Sequence, residues 1–266
     1  MRDFSRVKRV VVKIGSSSIT HENGRLALRK IDLLAKELAD LHNSGRDVVL
    51  VSSGAIAAGV SALHLKKKPS RTAQKQAAAA VGQGALIQLY EKFFLEYRQS
   101  IAQILLTKDV MDEPCQRENA MNTFEQLFAY GVIPIVNEND TIATDEIGFG
   151  DNDRLSAYVA ALVQADLLIL LSDIDGLYTA DPAKNPEAPM LKEVQKITEE
   201  IEAMAGSSHS DVGTGGMITK ILAAQIATEA GIDMLIANAA ELDILERVFD
   251  GEALGTYFYG KPKDRA

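Results

Sequence analysis

Short apolar runs that alternate with helical segments constrain the fold of this chain most strongly. Residues 8–14 are rich in Val and Ile, residues 47–51 are mostly apolar, and a Gly- or Ser-rich turn follows each run. The same pattern predicts further strands at 101–106, 132–136, 166–171 and 232–237. Strands that are apolar throughout and alternate with helices are typical of a parallel sheet covered on both faces.

The segments between these strands carry apolar residues at helical spacing. They predict helices at 26–41, 55–63, 71–97, 117–130, 155–163, 197–205 and 217–230. Gly82 and Gly84 lie inside the longest of them and indicate either a break or a close packing contact. Residues 172–190 carry three of the seven prolines, which predicts a loop or a small hairpin.

Composition and charge exclude several classes of protein. The chain is 47% hydrophobic, and its net charge of −9 argues against nonspecific binding of nucleic acid. No apolar run approaches the roughly 20 residues that span a bilayer, so we expect no membrane partner. The only cysteine forbids an internal disulfide, and the N-terminus lacks the apolar core of a signal peptide. We therefore expect a cytoplasmic protein.

Polar turns follow four of the predicted strands. Their sequences are Gly15-Ser16-Ser17, Ser52-Ser53-Gly54, Asn137-Glu138-Asn139-Asp140 and Ser172-Asp173. Ligands of open α/β sheets bind at the carboxyl ends of the strands, and Gly/Ser loops offer backbone N–H groups to anions. The same residue types also form ordinary turns, but four such turns together favour a binding site over chance.

Two lysines stand where a phosphate could be bound. Lys13 lies near the end of an apolar strand, where it either reaches water at an edge or faces an anion across the Gly15 turn. Lys220 follows three glycines, at 213, 215 and 216, that precede a predicted helix. Backbone N–H groups and the positive end of the helix would face the same point as Lys220. The pattern predicts a nucleotide-phosphate site.

Other chemistries fit the sequence poorly. The glycines at 213 and 215 lack the third glycine of a dinucleotide fingerprint. Residues 255–261 match the start of a Walker A loop, but Pro262 replaces the required Ser or Thr. The four histidines show no metal-ligand spacing, and no G-x-S-x-G elbow is present.

Taken in order along the chain, these motifs resemble the amino-acid kinase family, and within it the branch that acts on glutamate. The resemblance runs from Lys8 to about Tyr259. The residues that carry it are Val12-Lys13-Ile14-Gly15-Ser16-Ser17, Ser52-Ser53-Gly54-Ala55-Ile56, Asn137-Glu138-Asn139-Asp140, Gly150-Asp151-Asn152-Asp153, Ser172-Asp173-Ile174-Asp175-Gly176-Leu177-Tyr178 and the stretch 213–220.

The resemblance implies an α/β fold, a three-layer α/β/α sandwich with a mainly parallel central sheet of about eight strands. Residues 1–266 would form a single amino-acid kinase domain, with a glutamate-binding N-terminal half and an ATP-binding C-terminal half from about residue 152. The polar stretch 141–151 is the nearest candidate for the division. Many relatives continue into an RNA-binding PUA domain, and we expect none here.

Site residues follow from the same resemblance. Three residues would be catalytic, with Asp153 orienting the other two: Lys13, Asp153 and Lys220. Glutamate would be bound by Ser53, Asp140 and Asn152. ATP would be bound by Lys13, Ser172, Asp173, Thr214, Gly215, Gly216, Met217, Ile218, Thr219 and Lys220. The protein ligands of a metal are not indicated.

The implied reaction is ATP-dependent phosphorylation of the γ-carboxylate of L-glutamate, which gives L-glutamyl 5-phosphate, the first step of proline biosynthesis. ATP and Mg²⁺ are the implied cofactors, a homodimer or homotetramer the implied assembly, and proline the implied feedback inhibitor. Some relatives carry a basic residue where Gly148-Phe149 stands, which leaves loop contacts to glutamate open. The alternatives are another activity of the same family and a catalytically silent amino-acid sensor.

Overall fold

The computed structural model describes residues 2–21, 23–67, 69–142, 151–180, 182, 185–206, 216–240 and 243–262. The chain divides into two compact units. Unit 1 consists of Met1–Lys13 and Asp151–Ala266, and unit 2 consists of Ile14–Gly150.

Eight strands occur in the described residues. In chain order they are β1 (Arg9–Ile14), β2 (Asp47–Ser52), β3 (Ile101–Leu106), β4 (Ile133–Glu138), β5 (Leu167–Ser172), β6 (Glu193–Val194), β7 (Asp233–Asn238) and β8 (Thr256–Phe258).

Ten helices occur in the same residues. They are α1 (Ser16–Ile19), α2 (Leu28–Asn43), α3 (Ala55–Ala62), α4 (Thr72–Glu96), α5 (Asp109–Asp112), α6 (Pro114–Ala129), α7 (Asn152–Leu162), α8 (Glu199–Gly206), α9 (Met217–Glu229) and α10 (Ile244–Phe249). None of these helices is long and apolar enough to cross a membrane.

In unit 1 the strands are ordered β1-β5-β7-β8-β6, and β1 belongs to it except for its last residue. β5 and β7 pair in parallel, with Leu167 opposite Asp233. β7 and β8 run antiparallel, with Met234 opposite Phe258, and β6 pairs in parallel with β8. Every residue of β5 is buried, and both α7 and α9 pack in this unit, against β5 and β7 respectively.

In unit 2 the order is β3-β4-β2, and both pairings are parallel. Leu50 lies opposite Ile135, and Ile101 lies opposite Ile133. Because the strands are parallel, β2 and β4 end at the same edge, and the polar segments 52–54 and 137–140 lie there. α4 packs on both α2 and α3 in the same unit.

The predicted strands are confirmed, with bounds that shift by up to two residues. The predicted mainly parallel arrangement is confirmed too, and β7–β8 is its antiparallel exception. Two helices begin three residues before their predicted starts at 117 and 155, because of the residues at their N-termini. α6 begins at Pro114, whose fixed φ suits the first position of a helix, and α7 begins at Asn152 because the Asp151 side chain caps it.

Glycine permits the close packing of α3 and α4. A Cβ added at Gly82 would lie 1.8 Å from the Ala55 carbonyl oxygen, and one at Gly59 would lie 1.8 Å from the Ala78 carbonyl oxygen. Since α4 runs unbroken from Thr72 to Glu96, Gly82 marks a packing contact and not a break. Gly84 has open space around it and lies on the exposed side of the same helix.

Gly82→Ala should therefore force the two helices apart and lower the free energy of unfolding by about 1–3 kcal/mol or more. Gly84→Ala is the matched control, and its greater helix propensity should raise that free energy by about 0.5–1 kcal/mol. Urea unfolding midpoints measure both changes. Equal changes of the same sign would contradict this account of the helix contact.

Candidate active site

One buried carboxylate holds two buried ammonium groups in unit 1. The Asp153 side chain is fully buried, and the side chains of Lys13 and Lys220 are only 9% and 5% exposed. Lys13 Nζ donates to Asp153 Oδ1, and Lys220 Nζ donates to Asp153 Oδ2 at 3.0 Å. These three residues, the lysine–aspartate cluster, are those for which the resemblance implies catalytic roles.

Three elements of unit 1 bring the cluster together. β1 is buried from Val10 onward and supplies Lys13 near its carboxyl end. α7 supplies Asp153 from its first turn, where the Asp151 carboxylate caps the helix by accepting the Arg154 N–H at 2.9 Å. α9 supplies Lys220 from its own first turn and packs on α7. The helix starts thus fix the carboxylate and one ammonium group.

The two lysines keep the carboxylate of the cluster ionised. Burial alone would raise the pKa of Asp153, but Lys13 and Lys220 outweigh it and hold that pKa below its ordinary value of 3.8. Asp153 is therefore ionised at neutral pH. Two buried ammonium groups at one point suit an anionic ligand, and the nearby Asp151 carboxylate also acts on Lys13.

Thr219 is a further partner of the carboxylate. Its Oγ1 lies 2.8 Å from Asp153 Oδ2 and 2.7 Å from the Gly216 carbonyl oxygen, so the hydroxyl can donate to either acceptor. The resemblance implies that Thr219 binds ATP. The contact with Asp153 shows that Thr219 also helps to hold the carboxylate. Thr219 links the start of α9 to the cluster.

The other predicted ATP-binding residues of unit 1 follow β5 or begin α9. Ser172 is buried, Asp173 is exposed, and the Ser172 hydroxyl donates to Asp173 Oδ1 at 3.1 Å. Gly216 precedes α9, and Met217, Ile218, Thr219 and Lys220 form its first turn. The predicted residues Thr214 and Gly215 lie outside the described residues, as do Gly213, Gly148 and Phe149.

Two polar turns of unit 2 lie at the ends of neighbouring strands. We call them the acceptor loops: residues 52–54, which begin with the last residue of β2, and residues 137–140, which begin with the last two residues of β4. Val51 lies opposite Val136, so the two turns leave the sheet side by side. Gly54 has φ +100°, a left-handed conformation that an L side chain rarely adopts, and α3 begins directly after it.

A cavity of about 250 Å³ opens beside the second acceptor loop in unit 2. It is lined by Ala79, Ala80, Gln83 and Gly84 from α4, by Gln103 and Leu105 from β3, and by Glu138, Asn139, Asp140 and Thr141. Its two glutamines were not among the predicted site residues. Gln103 is the polar residue of an otherwise apolar strand, Ile101–Leu106, and that was the signal available in the sequence.

Asp140 lies in this cavity in an unfavourable environment for a negative charge. Burial, and then the neighbouring Glu138 carboxylate, raise its pKa to about 6. A cation bound beside Asp140 would stabilise its ionised form and so offset the burial and the repulsion from Glu138. The cavity therefore suits a small ligand that carries an ammonium group and also needs amide donors.

The predicted glutamate-binding residues are divided between the units. Ser53 and Asp140 belong to unit 2, while Asn152 is the first residue of α7 in unit 1. Their grouping around one substrate stays a prediction. Across the described ranges, no group of three or more His, Cys, Asp and Glu side chains could hold a metal ion.

Curated relatives match nearly the whole chain. A protein of Carboxydothermus hydrogenoformans named glutamate 5-kinase is 58% identical over 265 residues, which cover 99% of this chain and 71% of that protein. A glutamate 5-kinase of Clostridium tetani is 56% identical over 95% of this chain and 94% of its own length. One of Clostridium perfringens is 53% identical over 96% of each chain.

Solved structures match the fold at low sequence identity. The UMP kinase of Bacillus anthracis has a TM-score of 0.63 at 15% identity and covers 98% of this chain and 97% of its own. An isopentenyl phosphate kinase has a TM-score of 0.65 at 16% identity and covers 94% of this chain and 99% of its own. These likenesses confirm the predicted fold class. The model of the amino acid kinase family matches residues 8–238, and the chain belongs to that family.

Proposed function

We propose that this protein is a glutamate 5-kinase, which transfers the γ-phosphoryl group of ATP to the γ-carboxylate of L-glutamate. The observation that carries the proposal is the likeness to proteins of that name, at 53–58% identity over almost the whole chain. The lysine–aspartate cluster and the cavity beside Asp140 supply chemistry that suits the two substrates.

The reaction needs no general base. The γ-carboxylate of glutamate has an ordinary pKa of about 4.3, so it is ionised at neutral pH and is itself the nucleophile. One carboxylate oxygen forms a bond to the γ-phosphorus of ATP, and the bond from that phosphorus to the bridging oxygen breaks. The products are L-glutamyl 5-phosphate and ADP, and no proton is transferred.

The difficulty lies in bringing an anion onto a polyphosphate. Phosphoryl transfer depends mainly on positioning and on neutralisation of charge. We assign this task to the two buried ammonium groups of Lys13 and Lys220. Asp153 would hold both lysines in place, and the N-terminus of α9 would add its partial positive charge.

Mg²⁺ would reach the site with the nucleotide. Asp153 already accepts from both lysines, and Thr219 Oγ1 lies 2.8 Å from its Oδ2, so its oxygens are poor candidates for metal ligands. The residues described suit an ion held by ATP phosphates and water, which is how Mg²⁺ often binds. The bound ion would neutralise charge on the phosphates.

We propose that the second acceptor loop, residues 137–140, binds the α-ammonium group of glutamate. Glu138 and Asp140 carry the negative charge there, and Ser53 follows the neighbouring strand. An acylated amino group would lose this contact, which disfavours acetylglutamate. Asn152, proline inhibition and assembly into a homodimer or homotetramer rest on the family resemblance alone.

A substrate panel tests the proposal directly. With ATP and Mg²⁺ present, ADP release should be fastest with L-glutamate when it is compared with aspartate, acetylglutamate, carbamate and UMP. Preference for another acceptor would assign a different activity of the family. Binding of glutamate or proline without ADP release would favour the amino-acid sensor.

Lys220→Ala should lower kcat by roughly 10²–10³, because it removes one of the two charges that face the transferred group. Lys261→Ala is the control, since this lysine follows β8, is 65% exposed and pairs with Glu229, the last residue of α9. Its kcat should stay within about twofold of wild type. Urea unfolding checks that both variants are folded, and a near-normal rate for Lys220→Ala would mean that the phosphate site lies elsewhere.

Glutamate binding should weaken as the pH falls through about 6. The raised pKa of Asp140 means that its carboxylate is ionised above pH 6 and is protonated below, where it no longer attracts an ammonium group. At pH 5 about one molecule in eleven would hold Asp140 ionised, so the Kd for glutamate from calorimetry should be about tenfold higher than at pH 7.5.

Asp140→Asn is the control for this pH dependence. The variant should bind glutamate weakly at pH 7.5 and show little further loss at pH 5, because the titrating group is absent. A wild-type affinity that does not change between these two pH values would exclude Asp140 as the partner of the ammonium group.

A further inference from the structure

Helix α4 reaches both acceptor loops with side chains on one face. Gln83 and Tyr90 are seven residues apart, about two helical turns, so they point in the same direction. Gln83 contacts the end of β4, and Tyr90 contacts the end of β2. A single rigid element therefore touches the start of each loop.

A relay of hydroxyl groups runs from Tyr90 into the first loop. The Tyr90 hydroxyl lies 2.8 Å from Ser52 Oγ, and Ser52 Oγ donates to the Ser53 carbonyl oxygen at 3.2 Å. Either hydroxyl can be the donor in the contact between Tyr90 and Ser52; when Ser52 gives its one proton to Ser53, Tyr90 is the donor to Ser52. The relay thereby orients the peptide between Ser53 and Gly54.

Packing alone does not require the Tyr90 hydroxyl. Phe94, one turn further along α4, is as completely buried as Tyr90 and carries no hydroxyl. A buried phenol must find a partner or it destabilises the fold. The Tyr90 hydroxyl finds its partner in Ser52, next to Ser53. We therefore infer that Tyr90 holds the first acceptor loop in addition to packing in the core.

The second contact fixes the other loop in the same way. Asn137 is buried, and its Nδ2 donates to Gln83 Oε1 at 2.8 Å. Its Oδ1 accepts the backbone N–H of Glu138 at 2.9 Å. The Asn137 amide is held at both ends, so α4 sets the backbone that leads to Asp140.

We propose that α4 aligns both acceptor loops for the amino-acid substrate, with Tyr90 and Gln83 as positioning residues. The inference rests on the proposed function, since it assigns glutamate to these loops. It predicts that the loss of either contact weakens the use of glutamate and leaves the use of ATP nearly unchanged.

Tyr90→Phe keeps the ring and removes the hydroxyl. The KM for glutamate should rise about tenfold, because Ser52 loses a buried hydrogen-bond partner and the Ser53 peptide loses its fixed orientation. The KM for ATP should change less than about twofold. Gln83→Met should raise the KM for glutamate independently, through the other loop, so the effects of the two substitutions should multiply.

Tyr97→Phe is the matched control. Tyr97 directly follows the last residue of α4. Its hydroxyl donates to Asp32 Oδ1 on α2 at 3.0 Å and touches neither acceptor loop. This variant also loses a tyrosine hydroxyl bond, here a part-buried one to a carboxylate, yet its KM for glutamate should stay within about twofold of wild type. A rise equal to that of Tyr90→Phe would mean that general loosening of α4 explains both.

Ser52→Ala removes the other hydroxyl of the same relay. It replaces Tyr90→Phe as the test if urea unfolding shows that Tyr90→Phe is not folded. It should reproduce the selective rise in the KM for glutamate, and the double variant should be no worse than the more affected single variant. An unchanged KM for glutamate, or an equal rise for both substrates, overturns the inference. Wild-type protein that releases ADP with glutamate keeps the proposed function in that case, whereas wild type without this activity overturns both.

Discussion

The ionised carboxylate of Asp153, buried between two ammonium groups, is the interaction on which the rest of unit 1 depends. Taking one charged group out of water costs several kcal/mol, and removing one partner of a buried pair typically costs about 3–5 kcal/mol. Here three charged groups are buried together and come from β1, α7 and α9. A strand and two helix starts must meet correctly, or the charges stay unpaired.

The same interaction gives an acidic chain a place for anions. The net charge of −9 repels nucleotides at long range, so positive potential must be local. The ammonium groups of Lys13 and Lys220 supply positive charge there, and Asp153 fixes both in a largely buried position. A low-dielectric setting strengthens the attraction of that charge for a phosphate group.

Much of the fold was predictable because its long strands and helices carry strong periodic patterns. The short elements were missed: β6 and β8 have two and three residues, too few for a period to show, and α1, α5 and α10 have four to six. Periodicity could not show that Lys13 and Asp153 meet across 140 residues of sequence, so the family resemblance was needed for that pairing. The contact of Tyr90 with Ser52 escaped both routes, because it depends on how α4 packs in unit 2.

The central claim is that the γ-carboxylate of glutamate attacks the γ-phosphorus of ATP. It is tested most directly with glutamate whose γ-carboxylate oxygens carry a heavy isotope. When L-glutamyl 5-phosphate cyclises, its amino group attacks the carbonyl carbon, and the phosphate leaves with the oxygen it received from glutamate. The isotope shift of the phosphorus NMR signal should show one heavy oxygen in each released phosphate. Phosphate without the heavy isotope would mean that water, and not glutamate, accepts the phosphoryl group, and would contradict the account.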